Sequence, residues 1–367
     1  MLVILKKKPL YDKLLCNYVF QKSNMIPISC SVPCLWSILL MDIVICTYNN
    51  AALLDRVLTA ISLQKGSKIY NSSVLVVDNN CTDETADIVN KHINSRLIPN
   101  LRRIVEQKQG LTHARLCGIK NTTSEWLAFV DDDCLLSENW IDKAIQFAAS
   151  HPNCGAFGGK VVLNWEITPS PILVKHSGKY AAYERGETSK QLNRSNYQIP
   201  GAGLVLRRTA LEKSGWLDKQ LLNDREGKKL SAGGDSEIVL RILNAGYQLW
   251  YTPDCVLHHF IPTKRISETY LFNLMYGFGA AAPYIAAMRW NRSYYIWLLV
   301  SILRIFKGFL QVIACYVKAS INPNNKAEAL IMWNWTKGQI HSLFTIIRMG
   351  REEHIIWLSL FQKTLIT

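Results

Sequence analysis

The sequence predicts an α/β protein: a doubly wound, mostly parallel sheet flanked by helices, followed by a helical and basic C-terminal region. Three observations carry this reading. From residue 42, short apolar runs alternate with amphipathic stretches four times in about 95 residues. Each run ends in polar or acidic residues, as buried parallel strands do at their carboxyl edge. The net charge of +14 sits at the two ends of the chain, outside the alternating stretch.

The elements follow in order. Asp42 to Asn49 is an apolar run that turns polar at Thr47, Tyr48 and Asn49, which predicts a buried strand. Leu53, Leu54, Val57, Leu58 and Ile61 recur at helical spacing. Val74–Val77 is a second strand, closed by Asp78, Asn79 and Asn80. Thr82, Asp83, Glu84 and Thr85 open a helix with acid in its first turn, where the helix dipole favours it. Leu101–Val105 is a third strand, and Gly110 to Arg115 starts a helix. Trp126–Val130 is a fourth strand, ending at Asp131, Asp132 and Asp133. In a sheet of this kind ligands bind beyond the carboxyl ends of the strands, where these polar residues converge.

Residues 155–262 read as a mixed region with irregular loops, closed by Pro262 and Thr263. Beyond it, Ile296–Val317 is apolar and aromatic but broken by Arg304, Lys307 and Gln311, which share one stripe of a helix. That pattern favours a helix lying in a membrane interface over one that spans it. Ala327–Arg348 is a second such segment, with Trp333, Trp335, Lys337 and Arg348. Residues 1–41 read as a poorly ordered extension, with Met41 as an alternative start just before the first strand.

Residues 1–41 carry a net charge of +4 and residues 264–367 carry +8, whereas 42–263 is nearly neutral at +2. With no basic stretch interleaved with nucleic-acid motifs, the ends suit an anionic membrane surface, and nucleic acid is not expected as a partner. The ten cysteines form no C-x-x-C pair, and several lie in apolar runs such as Ile45-Cys46-Thr47. They read as reduced, buried thiols of a cytosolic fold, and a zinc site is not expected.

The acidic triplet carries the chemistry. Asp131 and Asp133, at i and i+2 on one strand face, would stand roughly 6–7 Å apart. Two such carboxylates repel unless a cation lies between them. Mg²⁺ or Mn²⁺, which shares hard oxygen ligands with substrate phosphates, meets that need; a solvated acidic turn is the plainer alternative. Asp78 and Asn79 either contact a base or ribose or serve as a turn and helix cap. Asp235 follows Gly233 and Gly234 at the start of an amphipathic helix and is either its cap or a base for an acceptor hydroxyl. The His258-His259 pair reads as structural unless the fold brings it to the triplet. Arg207-Arg208 and Lys228-Lys229 read as surface pairs able to meet phosphate or acceptor.

The order Val44 to Asn49, Val76 to Asn79, Gly110-Leu111-Thr112-x-Ala114-Arg115, Phe129 to Asp133, and Gly234-Asp235-x-Glu237 resembles family 2 glycosyltransferases of the GT-A fold over roughly 42–262. Residues 165–262 further resemble cyanobacterial enzymes of the hormogonium-polysaccharide type. The resemblance implies a nucleotide-sugar-binding half at 42–150, an acceptor-binding half at 151–263 and a membrane-interface region at 264–367. It implies that Thr47, Tyr48 and Asn49 border the nucleotide base, with Asp78 or Asn79 contacting it and Arg115 on the nucleotide sugar. Asp131 and Asp133 form the D-x-D element: Asp133 leads the metal ligands with Asp131 and His259, and Asp131 or Asp132 approaches the ribose. Asp235 matches the catalytic base of inverting members.

The implied partners are a UDP-, GDP- or dTDP-sugar donor, a divalent Mn or Mg ion, a saccharide or lipid-linked acceptor, and the cytoplasmic membrane surface. Three departures stand out: Gly234-Asp235 where many members have Glu-Asp, Leu116 where Asn follows Ala-Arg, and Asp78-Asn79 where Asp-Asp is common. A non-catalytic sugar-nucleotide-binding or scaffold protein is the alternative, and the intact Asp131, Asp133 and Asp235 weigh against it. A nucleotidyltransferase would need a glycine-rich triphosphate loop in place of Thr47 to Ala52. A membrane-spanning synthase sits poorly with Arg304 and Lys307.

Overall fold

The computed structural model describes residues 41–66, 69, 72–222, 224, 225, 232–289, 293–321 and 325–355. The extension at 1–40 and the Lys228-Lys229 pair lie outside the described residues. The first half of the chain forms β1 (Met41–Thr47), α1 (Ala51–Ser62), β2 (Ser72–Asp78), α2 (Thr85–Ser95), β3 (Leu101–Val105), α3 (Leu111–Lys120), β4 (Trp126–Asp131), β5 (Cys134–Leu136) and α4 (Trp140–Ser150). Next come β6 (Cys154–Gly158), β7 (Val161–Trp165), α5 (Pro171–Lys175), β8 (Lys190–Leu192), β9 (Leu204–Arg207), α6 (Arg208–Lys213), α7 (Gly234–Asn244), β10 (Gln248–Tyr251) and β11 (Leu257–Ile261). Three long helices close the described chain: α8 (Glu268–Met288), α9 (Tyr294–Ile321) and α10 (Lys326–Ile347).

Eight strands form one sheet in the order β3-β2-β1-β4-β9-β6-β10-β8. The four strands read from the sequence are its parallel half. β9 runs antiparallel between β4 and β6, and β10 returns parallel to β6. Alternate residues enter opposite cores. Ile43, Ile45, Val74, Val76, Ala128 and Val130 pack with Leu54 and Leu58 on one face. Val44, Leu75, Val77, Leu127 and Phe129 pack with Ala114, Ile119, Ile238 and Leu240 on the other. Burial on both faces is why these strands read as unbroken apolar runs.

A second sheet of three strands, β5-β11-β7, sits past the end of β4. Its register sets His259 opposite Cys134, one residue after Asp133. This pairing carries a histidine to the acidic turn from far along the chain. Along β11, Leu257, His259 and Ile261 are buried, while His258 and Phe260 are less so; period-two alternation thus separates the two histidines.

α8 and α10 touch through glycines. A side chain on Gly279 would collide with the Trp335 carbonyl, and one on Gly338 with the Tyr276 carbonyl. α9 buries only a narrow stripe that includes Trp297, Ser301, Gly308 and Val312. Arg304, Lys307 and Gln311 are exposed beside that stripe. Leu299, Leu303, Phe306, Leu310, Ile313 and Val317 cover the opposite face and are also exposed. α8 and α9 are both long and apolar enough to cross a membrane, but half of α8's apolar window is buried in the protein against 17% for α9.

Candidate active site

β4 ends at Asp131, so Asp132 and Asp133 lie in a turn and not on the strand. The expectation of two carboxylates spaced by strand alternation is corrected accordingly: the turn, and not the pleat, aims the three side chains. Asp132 accepts hydrogen bonds from Thr47 Oγ1 at 2.7 Å and Asn50 Nδ2 at 2.8 Å, which tie the turn to the end of β1. Burial, then the charge of Asp133, raises the Asp132 carboxyl to about 7 against the pull of those two donors. Burial and Asp133 also raise Asp131.

Asp133 differs. Burial alone would raise its carboxyl, but His259 and Arg265 beside it bring it below the usual carboxylate range. Arg265 Nη1 donates to Asp133 Oδ2 at 2.8 Å, and His259 Nε2 stands 3.3 Å from Oδ1. His259 Nδ1 lies 2.9 Å from the Tyr180 carbonyl oxygen. A carbonyl only accepts, so Nδ1 carries a proton and Nε2 is the nitrogen turned toward the acidic turn. Donor atoms of Asp133, Cys134 and His259 lie within 4.8 Å of one another, close enough to share one cation. Burial holds the Cys134 thiol well above its ordinary pKa, so it is a neutral neighbour there. Carboxylate and imidazole remain, a pair able to hold a divalent cation.

Asp235 is the second residue of α7, after a left-handed Gly233 cap with φ 103°. Its carboxylate does not cap that helix. Oδ1 accepts from Arg115 Nη1 at 2.6 Å and Oδ2 from the Gly201 amide at 2.9 Å. Asp224 Oδ1 accepts instead from the first amide of α7, at Gly234, and its Oδ2 from the same Arg115 Nη1 at 2.8 Å. Burial would lower the Arg115 pKa, but Asp235 and Asp224 more than offset it, and the guanidinium stays charged. Gly201 is required here, since a Cβ would come within 2.5 Å of the Asp235 carboxylate and 2.6 Å of Arg115.

A single cavity of about 1010 Å³ gathers Thr47, Tyr48, Asn49, Asn79, Arg115, Asp131, Asp132, Asp133, Asp235 and His259. Asp78 stands apart from its lining. Asp78 accepts from Arg103 Nη1 at 2.6 Å and from the Cys81 amide at 2.8 Å, so neighbouring strand and turn consume both oxygens. Asn79 is engaged as well: its Nδ2 donates to Glu106 O and Lys108 O, and its Oδ1 accepts from the Gly110 amide. Tyr48, 46% exposed, keeps its ring free at the rim. Arg265, Asp224 and Gly201 also line the cavity, and none was singled out from the sequence.

The class follows from sheet order and site together: a glycosyltransferase of GT-A architecture. The mannosyltransferase PcManGT from Pyrobaculum calidifontis, solved with GDP-Man and Mn²⁺, shares the fold at a TM-score of 0.55 and 16% identity, over 83% of this chain and 87% of that one. Residues 42–215 match the family model described as Glycosyl transferase family 2.

Glycosyltransferase AglE of Haloferax volcanii is 25% identical over 229 residues, 62% of this chain and 68% of that protein. The succinoglycan biosynthesis protein ExoM of Rhizobium meliloti is 25% identical over 237 residues, 63% of this chain and 70% of that one. The pre-mycofactocin glycosyltransferase of Mycobacterium tuberculosis is 24% identical over 254 residues, 66% of this chain but only 47% of its own length.

Proposed function

We propose that this glycosyltransferase moves a sugar, with inversion, from a nucleoside diphosphate carrier to an acceptor hydroxyl in surface or extracellular polysaccharide assembly. Thr47, Tyr48 and Asn49 border the base, with Asn79 behind them, and Asp131 and Asp132 approach the ribose. Asp133 and His259 would hold a divalent cation, with Mn or Mg as the candidates. Such an ion supplies charge neutralisation for the diphosphate of the leaving nucleotide. Arg265 adds positive charge beside Asp133, and Lys264 lines the same cavity.

Asp235 is the base. It takes the proton of the acceptor hydroxyl while that oxygen bonds to the anomeric carbon. The bond from that carbon to the diphosphate oxygen breaks, and its electron pair leaves with the nucleoside diphosphate. Attack opposite the leaving group inverts the centre. An alcohol is a weak nucleophile at neutral pH, so a held carboxylate is needed.

One observation carries this reading: the Asp235 carboxylate, fixed by Arg115 and the Gly201 amide, faces the same cavity as Asp133 and His259. The exposed apolar face of α9 and the basic C-terminal region support a peripheral position on the cytoplasmic face of a membrane.

The test is nucleotide release by purified protein from a panel of UDP-, GDP- and dTDP-sugars with Mn²⁺ or Mg²⁺. Release by the wild type, and its loss in Asp235→Asn with donor binding retained, is the expected result. No release from any donor, with or without membrane extract, would sink the mechanism.

A further inference from the structure

Lys179 lines the cavity from the 3₁₀ turn Ser177–Tyr180, and aromatic rings, not an acid, surround its charge. Its Nζ stands 4.9 Å from the centre of the Phe278 ring and 5.2 Å from that of Trp335. Both rings are within cation–π reach. The lysine ion pairs among the described residues belong to Lys65, Lys91, Lys160 and Lys175. Burial lowers the Lys179 pKa, and no carboxylate stands close enough to oppose that effect.

The seat is held from both sides. The Tyr180 carbonyl meets His259 Nδ1 at 2.9 Å, and its hydroxyl donates to the Arg265 carbonyl at 3.2 Å, which pins the turn. Phe278 precedes Gly279, whose missing side chain lets α8 touch the α10 backbone at Trp335, so the two rings are placed together. An ammonium fixed this way, with three N–H donors to give, lacks only an anion.

The place of Lys179 along α8 indicates which ligand brings that anion. Phe278 lies eight residues after Tyr270, the ring stacked on Tyr180, or about 12 Å along the helix. It lies only three residues before Ala281, about 4.5 Å. A Cβ on Gly233, two residues before Asp235, would stand 2.8 Å from Ala281. Lys179 therefore contacts α8 nearer the wall of Asp235 than the end beside Arg265. Arg265 and the cation site already answer the charge of the donor.

We propose that Lys179 selects an acidic saccharide acceptor, its ammonium receiving a carboxylate or phosphate substituent of the sugar whose hydroxyl Asp235 deprotonates. A compact ammonium with rotatable donors suits either anion. The link to the acceptor rests on the role given above to Asp235; the anion seat does not.

The test measures binding to the full chain with Mn²⁺ and, in turn, UDP, GDP or dTDP present. The probes are methyl glucoside, galactoside and mannoside, each beside its uronate and its 6-phosphate. At least one acidic glycoside should bind the wild type about tenfold more tightly than its neutral partner. The uronate and phosphate arms tell which anion is read. In Lys179→Met that ratio should fall to about one, and Lys179→Arg should keep it. Met leaves an unbranched stem between the two rings, so the variant should fold and bind nucleotide as the wild type does.

A wild type that prefers no acidic glycoside, or a preference that survives in Lys179→Met, overturns the proposal. So does a variant that loses nucleotide and acidic sugar alike, since Lys179 would then serve the donor diphosphate. A lysine that merely docks the turn on α8 and α10 would shift the melting temperature and leave the ratio unchanged, which also overturns it. Turnover is judged separately: undiminished nucleotide release in Asp235→Asn would sink the base and leave the acidic preference in place.

Discussion

Arg115 and Asp235 form an ion pair at the inner wall of the cavity, Nη1 to Oδ1 at 2.6 Å, and the same nitrogen serves Asp224 at 2.8 Å. One guanidinium thus keeps two carboxylates together. It fixes the position of Asp235, while Asp224 takes a share of its charge, so the base is not tied to a whole cation.

Asp235→Asn should lower kcat by about 10³-fold, the usual scale for removing a positioned base. Donor affinity, measured by calorimetry, should stay within a few fold because the hydrogen bonds of Asp235 go to Arg115 and the Gly201 amide and not to Thr47, Tyr48 or Asn49. A variant that loses donor affinity and kcat together would assign Asp235 to binding.

Gly201→Ala should act through the same carboxylate. The new methyl carbon would stand within 2.5 Å of the Asp235 oxygens and 2.6 Å of Arg115, so the base must move. A displacement of this order costs about 10²-fold in rate. Thermal melting should fall by only a few degrees, roughly the effect of 1 kcal/mol. Unchanged kcat would show that the position of Asp235 is not critical.

Asp133→Asn and His259→Ala should each weaken donor binding in Mn²⁺ by about tenfold or more, since both remove a ligand of a cation shared with the diphosphate. Wild type stripped with a chelator should match them, and added Mn²⁺ should rescue only the wild type. Chelation without effect on donor binding would contradict the cation site.

The reach of the sequence is clearest at the strand ends. β1, β2 and β4 were legible because burial on both faces demands apolar runs, and the switch to Thr47, Asp78 and Asp131 marks the edge where burial stops. The same switch could not tell which polar residue faces the ligand. Asp78 was equally placed with Asn79, but Arg103 on the adjacent β3 claims it. Asp224 and Arg265 stand beside other charges, Arg225 and Lys264, outside the periodic segments, and only tertiary pairing distinguishes them from surface residues. α8 falls in the region read as helical, but its own bounds are not legible because Gly277, Gly279 and Pro283 disguise them. Those small residues are a packing device, and packing between helices leaves little trace in a single chain's periodicity.

Asp224 gives a pH signature. Burial raises its carboxyl from 3.8 to about 6 despite Arg115. The folded chain therefore holds this proton more tightly than the unfolded one. That contribution to stability is complete below pH 3.8 and is lost as pH rises through about 6. It amounts to at most about 3 kcal/mol. Asp224→Asn removes it, so urea titrations should show wild type losing stability relative to the variant between pH 4 and 6, as an order-of-magnitude window about those two pKa values. A stability difference that does not change over that window would contradict the raised pKa.

Phe306→Glu, on the exposed face of α9, should release the protein from anionic vesicles in a sedimentation assay and leave soluble nucleotide release unchanged. Phe306 is 61% exposed, so the fold loses little. A charge on that face removes apolar contact with the lipid and adds repulsion from its headgroups. Undiminished vesicle binding would move the membrane contact elsewhere.

The most direct measurement is the anomeric configuration of the sugar just after transfer, read by proton NMR before mutarotation or further reaction. A single displacement driven by Asp235 yields the configuration opposite to that of the donor. Retention of the donor's configuration would contradict it.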